Sequence, residues 1–319
     1  MNGTGDGFLS FVLVGIPGLE HLYFWISIPF HFLYILTVFA NCTLIFIIRS
    51  DASLQTPMHA FLAMLAMADL CLSFSTLPTV LGVFWFHSLE LPSTACLVQM
   101  YLIHSFSVME SSTLLAMAYD RFVAICNPLR YSSIFTNSLI TKIGLVTVTR
   151  GLVLLLPIPV LLSGSTPCKS MVLSHAFCLH PDVTRLLCSA YKTTNVYSIF
   201  AVLSTMGLDA LLIILSYVLI LKAVCHFGSM TERWKALHTC VCHICVVLLF
   251  YMPMISLSII HRYGAYLPQN IHVPMAYLHF LLPPALNPII YGIKTRPIHR
   301  RIVQKIRRLT TGIEVSTYE

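Results

Sequence analysis

Charge is scarce in this 319-residue sequence: Asp, Glu, Lys and Arg make up 10% of it, against 57% hydrophobic residues. A soluble globular chain carries roughly 25% charged residues, so the composition excludes a water-covered surface over most of the chain. The formal charge of +7 would suit a nucleic-acid-binding protein. The basic residues, however, are confined to short loops and the C-terminal segment, so no nucleic acid is expected as a partner. HExxH, GxSxG and CxxC arrangements in a supporting context are absent, and no catalytic residue is assigned. No convincing repeat divides the chain into the matching halves of an inverted-repeat transporter. Residues 1–20 lack a basic segment followed by a long apolar run, so no cleavable signal peptide is expected.

What the sequence has instead is apolar length. A helix needs about 20 mostly apolar residues to cross the hydrocarbon. Seven stretches qualify, at about 24–48, 58–85, 96–125, 140–162, 196–222, 237–260 and 272–292. They exceed the ~10-residue alternating spans of a barrel. The expectation is therefore an all-α membrane protein, a seven-transmembrane helix bundle. Pro29, Pro78, Pro157, Pro159, Pro253 and Pro288 fall inside the spans, where neighbouring helices can satisfy the backbone groups they free. Beyond the seventh span, Ile298, Ile302, Ile306 and Leu309 recur at helical spacing among Arg300, Arg301, Lys305, Arg307 and Arg308. That pattern predicts a short amphipathic eighth helix lying on the inner leaflet, with membrane lipid as a partner. The expected division is an N-terminal segment 1–23, a seven-transmembrane bundle 24–292, and a cytoplasmic helix and tail 293–319.

Fourteen of the 19 Lys and Arg fall in segments on the side of the bundle away from the N-terminus, four on the N-terminal side, and Arg150 lies in the fourth span. The positive-inside rule then places the N-terminus of this multi-pass protein outside, and the plasma membrane is the expected location. Asn2-Gly3-Thr4 is a glycosylation sequon usable only in the secretory lumen, which gives the same orientation independently. Of the 11 cysteines, Cys96, Cys168, Cys178 and Cys188 fall on the outer side, where disulfides form, and three pairings are open to them. Cys240, Cys242 and Cys245 with His238 and His243 do not make a metal site, because 240 and 242 point to different faces of a helix.

Charged groups inside a bilayer mark function by default. Asp69 and Glu110 lie inside the second and third spans without a nearby Lys or Arg in sequence. Two such carboxylates repel unless one is protonated or a cation lies between them. Asp209 has no partner assignable from sequence, and Arg150 is expected either to snorkel to the inner surface or to pair within the bundle. Tyr251 just precedes Pro253, a natural kink, and suits a ligand-driven hinge. Ser258 and Arg262 stand four apart near the outer end of the sixth span, on one helix face. A guanidinium fork in a dry pocket binds a carboxylate bidentately. From spacing alone, an interfacial arginine snorkelling to water is the simpler reading of Arg262.

The polar residues form an ordered set along nearly the whole chain. Pro57-Met58-His59 opens the second span, which contains Ala68-Asp69-Leu70. Met117-Ala118-Tyr119-Asp120-Arg121-Phe122-Val123-Ala124-Ile125-Cys126 closes the third. Ser216-Tyr217 lies in the fifth, and Lys235-Ala236, Thr239-Cys240 and His243 open the sixth. Pro284-Ala285-Leu286-Asn287-Pro288-Ile289-Ile290-Tyr291 ends the seventh. This set closely resembles the olfactory receptors of the rhodopsin-like G-protein-coupled class. Gly15-Ile16-Pro17-Gly18-Leu19-Glu20, the pattern around His104, and His261-Arg262-Tyr263-Gly264 look like class I, or fish-like, receptors of families 51 and 52. Ala40 departs from the family, which usually has glycine there.

The resemblance implies an odorant receptor that binds a small volatile ligand and activates a heterotrimeric stimulatory G protein, raising cyclic AMP. A non-olfactory rhodopsin-like receptor for another metabolite is the alternative. It implies pairing Cys96 with Cys178 and Cys168 with Cys188. It also implies a sodium ion near Asp69, Glu110 and Asn287, with a purely structural hydrogen-bond network as the other reading; no other cofactor is expected. Asp120 would restrain Arg121 at rest, and Arg121, with Tyr217, His243 and Tyr291, would serve coupling and activation. The resemblance reverses the reading of Arg262, whose position is that of the arginine anchoring carboxylic acids. His104 and Ser258 match further polar contacts. Leu155, Ile158, Ser198 and Val202 match positions lining the cavity, and Tyr251 is counted with the ligand-binding residues. Pro181 stands where a relative has a polar contact.

Overall fold

The computed structural model describes residues 10–16, 18–86, 89–168, 170–187, 191–226, 229–263, 269–295 and 297–304, apart from the side chains of 191, 235, 239, 261–263, 269–273 and 294. Asn2, Cys188, the tail from 305 onward and the side chain of Arg262 therefore lie outside the described residues. In chain order the elements are β1 (Ser10–Leu13), α1 (Tyr23–Ser50), α2 (Pro57–Phe86), β2 (Leu89–Pro92), α3 (Ser93–Cys126), α4 (Tyr131–Ile134), α5 (Asn137–Val153) and α6 (Pro157–Ser163). Then follow β3 (Val172–Leu173), α7 (His180–Leu186), α8 (Tyr191–Val202), α9 (Leu208–Cys225), α10 (Met230–Tyr263) and α11 (Gln269–Lys294). Residues 297–304 are helical as well.

Among the described residues, five helical stretches are long and apolar enough to cross a membrane: Glu20–Ser50, Pro57–Phe86, Asn137–Ser163, Lys192–Cys225 and Met230–Ile260. Seven were expected from apolar runs, and α3 and α11 do not meet this criterion. For α3 the reason is its place in the bundle. It packs against α2, α5, α6, α9 and α10, and it buries Ser105, Ser107, Glu110, Ser111, Ser112 and Thr113. Polar groups that face neighbouring helices rather than lipid are tolerated there, and they dilute its apolarity.

The expected fourth span is broken. Pro157 and Pro159 have no N–H, so the carbonyls of Val153 and Leu155 lose their helical donors, and a turn at 154–156 separates α5 from α6. Neighbours cover exposed carbonyls here: the Tyr101 hydroxyl donates to Leu152 O at 2.9 Å and that of Tyr197 to Leu154 O at 2.8 Å. This is how a bundle satisfies backbone groups without water. Gly151 brings α5 close to α3, since a Cβ there would lie 2.9 Å from both Met109 Cγ and the Ser105 carbonyl. Between α8 and α9 the backbone widens into a π-helical segment, Leu203–Gly207.

The N-terminal segment holds a strand that the sequence pattern did not reveal. β1 pairs antiparallel with β2 and parallel with β3, in the order β2-β1-β3. Phe11 and Leu13 are fully buried. The Tyr23 hydroxyl donates to the Val14 carbonyl and, at 3.2 Å, to that of Ile16. Gly15 between them has φ +77°, and a Cβ there would lie 2.9 Å from Val83 Cγ1, so glycine alone fits. The expected disulfide joins Cys96 to Cys178. Cys178 N–H donates to Gln99 Oε1 at 3.0 Å and Ala176 N–H to the Tyr277 hydroxyl at 3.2 Å. The loop between β3 and α7 is thereby stitched across α3 and α11 at the sheet end of the bundle.

Candidate functional site

Beneath that loop lies a cavity of about 400 Å³. His104 on α3, Leu155 in the turn, Ile158 on α6, Ser198 and Val202 on α8, and Ser258 on α10 all line it. These are six of the positions picked out from sequence, and helices far apart in the chain bring them together. Pro181 lines it too, as do His180, Arg185 and His279, which sequence reasoning passed over. A lone histidine or loop arginine reads as core or solvated surface, so no local signal marks them.

The lining mixes apolar and polar side chains. His180 N–H donates to His104 Nε2 at 3.4 Å, which makes that nitrogen an acceptor. Nε2 of His180 and Nδ1 of His279 are buried without a hydrogen-bond partner. Burial, with the neighbouring His104 ring second, lowers the pKa of His180 to about 3, against the opposing pull of Asp182. His180 is therefore a neutral hydrogen-bonding group at physiological pH. Ser258 stands on the cavity wall one helical turn before residue 262.

Tyr251 does not line this cavity. It lies below, in a cluster that also resolves the two charges left unpaired by sequence. Arg150 Nη1 donates to Asp209 Oδ1 at 2.6 Å and to Ser112 Oγ at 2.9 Å, and its Nη2 donates to the Ser204 carbonyl at 2.8 Å. Ser111 Oγ donates to Asp209 Oδ2 at 2.8 Å, Ser112 Oγ does so at 3.3 Å, and the Ser111 and Tyr251 hydroxyls share a bond of 2.7 Å. The carbonyl that receives Arg150 belongs to the π segment, a frequent companion of functional sites. Arg150 thus pairs within the bundle rather than snorkelling.

A second buried cluster joins α2, α3 and α11. Asn287 Nδ2 donates to Asp69 Oδ1 and Oδ2 at 3.3 and 3.2 Å, and the Glu110 carboxyl lies within hydrogen-bonding reach of Asp69. Glu110 Oε1 and Asn287 Oδ1 are buried without partners. Orphaned carboxylate and amide oxygens are the donor set of a hard cation. Among the described residues, no group of three or more His, Cys, Asp or Glu could hold a metal ion.

At the end opposite the sheet, Asp120 and Arg121 face different partners. Asp120 Oδ1 accepts from the Tyr131 hydroxyl at 2.6 Å, while Arg121 reaches the Met58 sulfur. The restraint expected between them is therefore not a direct ion pair in this state. Tyr217 shares a 2.6 Å hydrogen bond with His243 Nδ1 and stacks on its ring. Tyr291 is fully buried, its hydroxyl 4.0 Å from Met117 Sδ. Just beyond α11, Ile298 is buried against the bundle and Arg301 pairs with Asp51.

Comparison with known proteins adds four likenesses. Residues 30–308 match the family model described as olfactory receptor. The chain is 50% identical over 301 residues to olfactory receptor 51G2 of Homo sapiens, covering 94% of this chain and 96% of that one. It is 49% identical to olfactory receptor 52K1 of Homo sapiens over 298 residues, 93% and 95% of the two chains. It is 47% identical to olfactory receptor 51E2 of Rattus norvegicus over 294 residues, 92% of each.

Proposed function

The chain belongs to the olfactory receptor family, as an odorant receptor of the G-protein-coupled class and not an enzyme, and from that premise we propose that its odorant is a fatty (carboxylic) acid. The observation that carries this reading is the cavity's mixed lining. Leu155, Ile158 and Val202 line its apolar part, while Ser258 and the unpartnered ring nitrogens of His180 and His279 offer polar contacts. A carboxylate with a short or medium aliphatic tail needs both. Arg262, one turn beyond Ser258, is the anchoring cation, and its guanidinium meets the carboxylate bidentately. His104 and Ser198 complete the polar and lining contacts, and Tyr251 below the cavity passes ligand occupancy to α10.

Seven membrane spans follow from family membership, with the N-terminus outside the plasma membrane, Asn2 glycosylated and Cys168 bridged to Cys188. The helix continuing beyond residue 297 lies along the inner leaflet. Sodium occupies the site of Asp69, Glu110 and Asn287. At the inner end Asp120, Arg121, Tyr217, His243 and Tyr291 engage a stimulatory heterotrimeric G protein, and cyclic AMP rises.

The test is a cyclic AMP assay in cells expressing the receptor, with straight-chain carboxylic acids run beside their methyl esters and alcohols. Acids activate and their esters do not. Arg262→Ala abolishes the response at unchanged surface expression, whereas Arg185→Ala, at the other cation of the cavity wall, retains it. Equal responses to acids and esters, or full activity of Arg262→Ala, would overturn the carboxylate reading.

A further inference from the structure

A second cavity, of about 940 Å³, opens on the outside of the bundle between α2, α3 and α5. It exists because α2 presents Ala60, Ala63 and Ala68 there, small side chains that leave α2 and α5 apart. Met64 and Met109, which adapt their shape readily, fill part of the wall. Its lining runs from Thr56 to Cys71 on α2 and from Asn137 to Leu152 on α5. Sixteen residues, fifteen helical rises, make it about 22 Å long, enough to reach from the headgroup level through one leaflet of a hydrocarbon core about 30 Å thick.

One end of the groove differs from the rest. Arg49 at the end of α1, Gln55 before α2 and Asn137 at the start of α5 line that end. All three are exposed. Among the described residues their side chains have no hydrogen-bond or ionic partner, so one guanidinium and two amides have their donors free. No Asp or Glu lines the groove. The nearest acid in sequence, Asp51, is already bound by Arg301 and by Ser53 Oγ at 2.8 Å.

We propose that this groove binds an anionic glycerophospholipid, its phosphate on Arg49, Gln55 and Asn137 and one acyl chain laid along α2 between Ala63 and Met109. The charge selects the headgroup. A basic pocket between membrane helices attracts an anionic lipid, whereas a zwitterionic headgroup brings a cation for which the lining holds no carboxylate. The chain then packs along α2 on the side away from Asp69, against Phe106, Met109 and Thr113 of α3. The occupant is a lipid and the site is separate from the odorant cavity, so it rests only on the chain being a membrane-spanning bundle.

The experiment uses the full-length receptor purified in mixed micelles, offered equal amounts of phosphatidylglycerol and phosphatidylcholine. Retained lipid is read by native mass spectrometry and unfolding temperature by a thermal ramp. The receptor retains about fivefold more phosphatidylglycerol, the ratio one surface cation supplies, and is stabilised more by it. Arg49→Gln removes the preference. Arg300→Gln, at an exposed cation outside the groove, keeps it. Ala63→Phe fills the groove and lowers retention of both lipids. Equal retention by the native protein overturns the proposal, as does a preference lost equally in Arg300→Gln. So does a folded Ala63→Phe variant that keeps its lipid, or one that loses self-association instead, which would make a second copy of the chain the occupant.

Discussion

The polar cluster around Arg150 and the one around Asp69 are both buried among apolar helices, yet only the first closes on itself. In the first, the guanidinium meets a carboxylate, a serine hydroxyl and a backbone carbonyl, and Ser111, Ser112 and Tyr251 extend the network. Its charges cancel within α3, α5, α9 and α10. The second cluster holds two carboxyls and one amide, and leaves oxygens of Glu110 and Asn287 unpartnered. A satisfied network fixes helices relative to one another, while one with unpartnered acceptors waits for a cation or a proton. The bundle thus carries one internal brace and one site whose occupancy can change.

The sharpest way to break the comparison is to open the closed cluster. Arg150→Met leaves the Asp209 carboxylate buried with only serine hydroxyls, and losing one partner of a buried pair costs about 3–5 kcal/mol. We expect little folded receptor at the surface and a large fall in the unfolding temperature of what remains. Arg150→Met combined with Asp209→Leu removes both charges and recovers most of the loss. A single variant as stable as the double would show that the pair braces nothing.

The open cluster should respond to salt identity where the closed one does not. A bound ion stabilises by about 1.4 kcal/mol at about ten times its dissociation constant. Replacing choline chloride by sodium chloride at constant ionic strength should therefore raise the unfolding temperature of the native protein. Glu110→Gln should abolish the difference, and Tyr251→Phe should leave it intact. A sodium response that survives Glu110→Gln would place the ion elsewhere or nowhere.

His180, in the loop above both clusters, provides a titratable control outside the spans. Its folded pKa of about 3 lies below the ordinary value near 6.5. The unfolded chain therefore takes up a proton first, so this contribution to stability is present above pH 6.5 and is lost as pH falls toward 3. Between pH 6.5 and 5.5 the loss is about 1 kcal/mol. His180→Asn should flatten that part of the stability profile, measured by thermal unfolding across the range; an unchanged slope would assign it to another group.

The long helices were legible because a run of apolar residues is local information. The break at 154–156 was foreshadowed by Pro157 and Pro159, yet it was expected as a continuous span because membrane helices tolerate proline. β1, with four residues, is too short to separate from a loop by pattern, and it depends on β2 and β3 arriving from distant parts of the chain. The cost of Arg150 and Asp209 in lipid was visible, but their pairing across 59 positions was not. Six cavity positions were reached through family resemblance, and the structure gathers them. His180 and His279 were not, since only the fold shows that their free nitrogens lie at a cavity.

The smallest expected effect asks whether the closed cluster is one unit or a pair with ornaments. Tyr251 touches it only through the shared bond with Ser111 Oγ, at 2.7 Å. Ser111 also donates to Asp209, so the tyrosine hydroxyl is the donor and Ser111 the acceptor if both bonds form together. Tyr251→Phe keeps the ring, which packs edge-on against Phe250 at 5.0 Å, and deletes only that donor. Ser111 keeps its bond to Asp209 and no charge is uncovered, so the loss should be about 0.5–1.5 kcal/mol. Ser111→Ala should cost about the same or slightly more, because it also removes a donor to Asp209. In a double-mutant cycle the two changes should then be strongly non-additive, the pair costing little more than Ser111→Ala alone. Additive losses would mean that Tyr251 and Ser111 act independently, and that α10 is not tied to the Arg150 brace through this bond.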